Sequence, residues 1–120
     1  MFNYILKQVE KIVLKSNELS PQHKELIFEH VSFALEQTRA YISSSRKNGS
    51  DKSSSILSNI WQRTARNIKA IENPDVRRFV KTIEEKARYW SDPNSYDKEQ
   101  FDNYNMRIFQ VETTLKQMCK

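Results

Sequence analysis

Glycine occurs once in this 120-residue chain, at Gly49, and proline occurs three times. A β-rich domain of that length needs many tight turns. Tight turns draw on glycine, proline, asparagine and aspartate for backbone angles that other residues reach only at a cost. The scarcity therefore points to an all-α fold. The length is close to the commonest size of one domain, enough for one core and too short for two, so residues 1–120 are read as a single helical-bundle domain. Apolar residues make up 38% and charged residues 29%, which excludes an intrinsically disordered chain and suits the slim core of a bundle.

The prolines are positional. They occur as Ser20-Pro21, Asn73-Pro74 and Asp92-Pro93. Each follows a residue whose side-chain oxygen can accept a hydrogen bond from an orphan N–H of a first helical turn. Proline at the next position loses nothing, because its N–H would have been unpaired there. All three pairs read as helix starts.

Apolar periodicity supplies the rest of the helices. Phe2, Ile5, Leu6, Val9, Ile12 and Val13 form one face over about 2–16, with Lys7, Lys11 and Lys15 opposite. A helix from Pro21 to about Ser43 carries a broad arc that includes Ile27, Phe28, Val31, Phe33, Ala34 and Leu35. An arc that wide packs on more than one neighbour, so this helix is expected at the centre. A further helix runs from about Ile56 to Ile71, with Leu57, Ile60, Trp61, Thr64 and Ile68 inward. The next runs from Pro74 to about Trp90, with Val76, Phe79, Val80, Ile83, Ala87 and Trp90 inward. The last starts between Pro93 and Asp97. Its Phe101, Tyr104, Ile108, Val111, Leu115 and Met118 follow a seven-residue repeat, the period of a coiled-coil-like seam. Ser43–Ser55 holds Gly49 and no strong hydrophobe, and is expected to be a flexible loop. Short connections around Asn73 and Asp92 favour antiparallel neighbours. The expected architecture is a four- to five-helix, mostly antiparallel up-and-down bundle.

Catalytic signatures do not emerge from the residues. One glycine leaves no glycine-rich phosphate loop, and no Glu-x-x-His pair of the di-iron type occurs. His23 and His30 share a helix face, but seven residues span about 10 Å along a helix, too far for one ion to be held by both. Cys119 is the sole cysteine, so an intramolecular disulfide and a cysteine-rich zinc site are excluded. At the end of the last helix it reads as a surface or seam thiol, with no base and orienting group to make it a nucleophile. No enzyme activity, metal or cofactor is expected. The opening MFNYILKQVEK lacks a long uncharged apolar run, so neither a signal peptide nor a transmembrane helix is expected, and the location is read as cytoplasmic. Its lysine-bearing face is interrupted by Glu10, which argues for a bundle helix over a membrane-surface one.

The net charge is +5, from 20 basic and 15 acidic residues. That permits an anionic partner without requiring one. The stretch RTARNIKAIENPDVRRFVK, Arg63–Lys81, holds six basic residues around one turn. With Leu57, Trp61 and Ile68 inward, Arg66 points away from the core, flanked by Arg63 and Lys69. Across the turn Arg77, Lys81 and Arg88 share one flank, while Arg78 and Glu85 point outward. Antiparallel pairing brings Arg63 and Arg66 near the level of Arg78 and Lys81. Glu84 is placed to pair with Arg88, and Glu85 with Lys81 or Arg78. No acid at helical spacing answers Arg66. Arg77 and Arg78 also lie near the positive end of their helix, where cations are mildly disfavoured and anions are welcome.

The turn IENPD reads as the capped turn of a packed hairpin. A helix-turn-helix reader has shorter helices crossing steeply, and no aromatic residues interleave these arginines as a single-strand stacking platform requires. The candidate anion- or partner-binding residues are Arg63, Arg66, Arg77, Arg78 and Lys81. A second candidate surface is Phe101, Tyr104 and Phe109. Phe109 lies off the seam of Ile108 and Val111 and needs cover from a second copy, a partner helix or the helix over 21–43. The functional expectation is a non-catalytic helical module that binds another protein or itself. The alternative is a nucleic-acid-binding accessory protein that contacts phosphates through the same patch.

Overall fold

The computed structural model describes residues 19–45, 53–97 and 107–120. They form four α-helices: α1 Pro21–Ser45, α2 Ser55–Ile68, α3 Pro74–Ser91 and α4 Ile108–Met118, with a 3-10 turn at Pro93–Ser95. No strand occurs among the described residues. The fold is an all-α bundle, as the glycine scarcity indicates. The helix expected over 2–16 lies outside the described residues, as do Phe101, Tyr104 and residues 46–52 of the serine-rich stretch.

Two of the three proline signals start helices as read. Ser20 Oγ accepts from the His23 amide at 3.1 Å, at the head of α1. Asn73 Oδ1 accepts from the amides of Asp75 and Val76, at 2.8 and 3.1 Å, at the head of α3. Replacing Asn73 with alanine removes a cap that is only 5% exposed. The expected loss is about 1–2 kcal/mol, measurable as a lower urea midpoint at unchanged slope.

The third signal departs from expectation. Pro93 opens only the three-residue 3-10 turn, and Asp92 makes no side-chain cap bond. The Asp92 amide instead donates to the carbonyls of Arg88 and Tyr89, so this residue closes α3. Tyr96 then turns the chain back onto α3. Its hydroxyl donates to Glu85 Oε2 at 2.6 Å, and its ring meets Tyr89 edge-on at 5.7 Å. In the reverse sense, Ser54 was not read as a cap. It accepts from the Leu57 amide at 3.1 Å and starts α2 one residue earlier than expected.

One apolar cluster joins all four helices. Ile27, Val31, Ala34 and Leu35 come from α1, Trp61 and Ile68 from α2, Val76 and Ile83 from α3, and Val111 and Leu115 from α4. Helix α1 packs on both α2 and α4, and α3 also packs on both. Its buried stripe is narrower than the sequence suggests, because Phe28 and Phe33 are each 52% exposed. Both fall off the line of Ile27, Val31, Ala34 and Thr38, which recurs at spacings of three and four and, with Leu35 beside it, is the buried part of α1.

Polar groups inside the bundle are paired in ways that fix its register. The Trp61 indole donates to Thr38 Oγ1 at 2.8 Å, and that hydroxyl donates to the Ala34 carbonyl at 2.7 Å. This joins α2 to α1. Ser58 Oγ donates to the Ala87 carbonyl at 2.8 Å, and the Ser54 amide donates to the Trp90 carbonyl at 2.8 Å. These two bonds set α2 antiparallel to α3. Lys86 is only 3% exposed, and its ammonium lies 5.9 Å from the centre of the Trp61 ring, close enough for a cation–π attraction.

Candidate functional site

The α2–α3 register decides which cations share a surface. Arg77, Lys81, Glu84 and Arg88 recur at spacings of four, three and four, so they occupy one flank of α3. Gln62, Arg66 and Lys69 recur at four and three on the facing flank of α2. Between the flanks runs a concavity of about 270 Å³, lined by Gln62, Ala65, Arg66, Lys69, Glu84, Ala87 and Arg88. Its lining combines long cationic side chains with the small, buried Ala65 and Ala87. Arg66, Lys69, Arg77, Lys81 and Arg88 are all exposed. Arg66, Lys69 and Arg88 line the concavity with Glu84, the one acid of its described lining, and Arg77 and Lys81 continue the same flank of α3.

The ion pairs differ from those expected. Glu84 does not pair with Arg88. It faces α2 and reaches Lys69 Nζ at 3.8 Å, while Arg88 pairs with Glu85. The Tyr96 hydroxyl explains the change. It fixes the Glu85 carboxylate beside α3, and the Arg88 guanidinium reaches back to that anchored charge. The Lys69–Glu84 pair is long and exposed on both sides, so it contributes little stability. Among the described residues, no acid lies within ion-pair distance of Arg63, Arg66, Arg77 or Lys81.

The five candidate cations are therefore not one cluster. Arg66, Arg77 and Lys81 belong to the face just described, and Arg63 borders it one turn before Arg66. Arg78 lies on the other flank of α3, pairs with Asp75, and lines a separate cavity at the end of the bundle. Lys69 and Arg88 complete the face, although the sequence reading left them out of the site. Their flank spacing was visible in the sequence. In the sequence Glu84 is placed to pair with Arg88.

The other candidates fall elsewhere. Phe109 is 63% exposed on the outer side of α4, so α1 does not cover it. Phe101 and Tyr104 lie outside the described residues. His23 is exposed, and His30 Nδ1 lies 3.3 Å from Asn67 Nδ2, between α1 and α2. Among the described residues, no group of three His, Cys, Asp or Glu side chains is placed to hold a metal ion. Cys119 is half-buried, and its thiol donates to the Lys24 carbonyl at 3.4 Å. Burial pushes that thiol pKa up, and the nearby Lys24 charge only partly offsets the rise. A raised pKa leaves less of the nucleophilic thiolate at neutral pH.

Among the described residues, no helix is long and apolar enough to cross a membrane. No protein-family model, curated protein or solved structure is detectably similar to this chain.

Proposed function

We propose that this chain is a non-catalytic helical interaction module that docks an acidic surface of another protein on the α2–α3 face. The observation that carries this reading is the excess of unanswered charge. Arg66, Arg77 and Lys81 have no acidic partner among the described residues, and they stand beside Lys69 and Arg88 on one surface. Stability alone does not favour that arrangement, because like charges repel and Arg77 sits in the first turn of α3, near its positive end. An acidic partner reverses the sign of both terms. Glu84 in the middle of the cations favours a protein partner of mixed charge over a continuous run of phosphates, which it would repel. The concavity, at about 270 Å³, is smaller than ordinary small-molecule pockets of about 300–1,000 Å³. A larger partner laid along the hairpin fits it better.

Nucleic acid is the competing partner, and salt dependence separates the two. A labelled glutamate-rich helical peptide and a labelled random-sequence duplex are titrated with the protein by anisotropy, from about 50 to about 200 mM salt. The peptide is expected to bind at low salt, to weaken only severalfold over that range, and to be competed by excess unlabelled peptide. The duplex is expected to bind weakly or not at all. Tight duplex binding that falls by orders of magnitude over the same range, with no peptide binding, would replace the protein-docking reading with the phosphate-contacting one.

A further inference from the structure

A second cavity lies at the end of the bundle where α1 and α3 begin and α4 finishes. It measures about 660 Å³, inside the range of about 300–1,000 Å³ that holds metabolite-sized ligands. It is far larger than the groove on the basic face and shares none of its lining residues.

Its chemistry is divided. Lys24 from α1, Arg78 from α3 and Lys120 after α4 bring three cations to the walls from three separate segments. Among the described residues of the lining Asp75 is the one acidic side chain, and it pairs with Arg78. Leu19, Phe79 and Met118 supply an apolar side. Phe79 is 2% exposed and part of the core, so that side is firmly backed. Thr114 and Gln117 add neutral hydrogen-bonding groups from α4.

The rim is tied together by the protein itself. Lys24 Nζ donates to the main-chain oxygen of Lys120 at 2.5 Å, and the Cys119 thiol donates to the Lys24 carbonyl. These bonds join the start of α1 to the end of α4 beside the cavity. The Arg78 and Asp75 side chains are 73% and 61% exposed. Their pairing is therefore weak and readily exchanged for a bound anion.

We propose that this cavity binds a small organic anion, a phosphate monoester or carboxylate carried on an apolar body. The anionic group is held by Arg78 with Lys24 and Lys120, and the apolar body rests against Leu19 and Met118, with Phe79 behind them. A bare inorganic anion meets only the charged half of the site, and a neutral aromatic molecule only the apolar half. This site is independent of the basic face, and its failure leaves the docking proposal untouched.

The test is a titration of the ¹⁵N-labelled full chain, followed by amide chemical shifts. Phenyl phosphate and phenylacetate serve as the two anion chemistries, and inorganic phosphate as the control. At least one of the two organic anions is expected to shift the amides around Lys24, Arg78, Thr82 and Gln117 saturably, with a dissociation constant below about 1 mM. Inorganic phosphate is expected to bind at least about tenfold more weakly. Arg78→Glu is expected to weaken the organic anion by about tenfold or more, while Arg66→Glu leaves it unchanged. Amide dispersion in the same spectra verifies that each variant is folded. Lys24→Met, which keeps the side-chain stem, is expected to weaken binding without disturbing α1. The proposal is overturned if neither organic anion saturates, if Arg78→Glu binds as well as the parent, or if inorganic phosphate binds as tightly as phenyl phosphate.

Discussion

Trp61→Ala is expected to lower stability by about 3–5 kcal/mol. Domains of this kind have total stabilities of about 5–15 kcal/mol, so the variant loses a large share of its stability. Several effects act together. Trp61 is fully buried, so its removal opens a cavity where α1, α2 and α3 meet. Thr38 Oγ1 loses the indole donor that satisfies it from α2. Lys86, itself buried, loses the ring beneath its charge.

Trp90 provides the comparison. It is also buried, at 1% exposed, but its indole Nε1 has no hydrogen-bond partner among the described residues. Trp61→Phe breaks a hydrogen bond between helices, and Trp90→Phe breaks none. The two variants remove the same atoms from the ring system, so Trp61→Phe is expected to cost about 1 kcal/mol more. Urea unfolding of both variants measures the difference. Equal losses would mean that the Trp61–Thr38 bond does not stabilise the packing of α1 on α2.

The second large effect concerns binding and leaves stability nearly unchanged. Arg66→Glu, Arg77→Glu and Lys81→Glu together are expected to weaken an acidic partner by about a hundredfold or more. The folded state is expected to change by no more than about 1 kcal/mol. All three side chains are exposed and none has an acidic partner among the described residues, so their replacement breaks no pair. Glutamate at position 77 even suits the first turn of α3. Lys81→Glu adds repulsion toward Glu84 and Glu85 at helical spacing, which offsets that gain. Reversal at Arg78 is the control. It lies on the opposite flank, and its effect on the acidic partner is expected to be small.

Much of the helical frame was legible in the sequence because the signals there are local. Capping by Ser20 and Asn73 depends on the neighbouring residue or two, and the stripes through Trp61 and Ile83 depend on spacing within one helix. Pro93 was misread because an aspartate before proline has the same local signature at the end of one helix as at the start of another. Only the Arg88 and Tyr89 carbonyls, already in place, decide between them. The site was less legible for a related reason. Helical spacing shows that Arg77 and Lys81 share a flank, and it separates Arg78 from them. It does not show that Tyr96 holds Glu85, that Arg88 follows it, or that Glu84 is left facing Lys69. Those outcomes depend on contacts across 11 residues and across the hairpin turn. Phe28 and Phe33 illustrate the same limit. Hydrophobicity marks them as core candidates, but they lie off the line of Ile27, Val31, Ala34 and Thr38 that α1 turns inward.

The docking proposal is most directly tested by capture from the native host, with the parent chain and the Arg66→Glu/Arg77→Glu/Lys81→Glu chain compared side by side, each with and without nuclease. The expected result is a discrete protein partner held by the parent chain, unaffected by nuclease and absent from the triple variant. A partner that vanishes on nuclease treatment, or one held equally by both chains, would contradict the assignment of the α2–α3 face as a protein-docking surface.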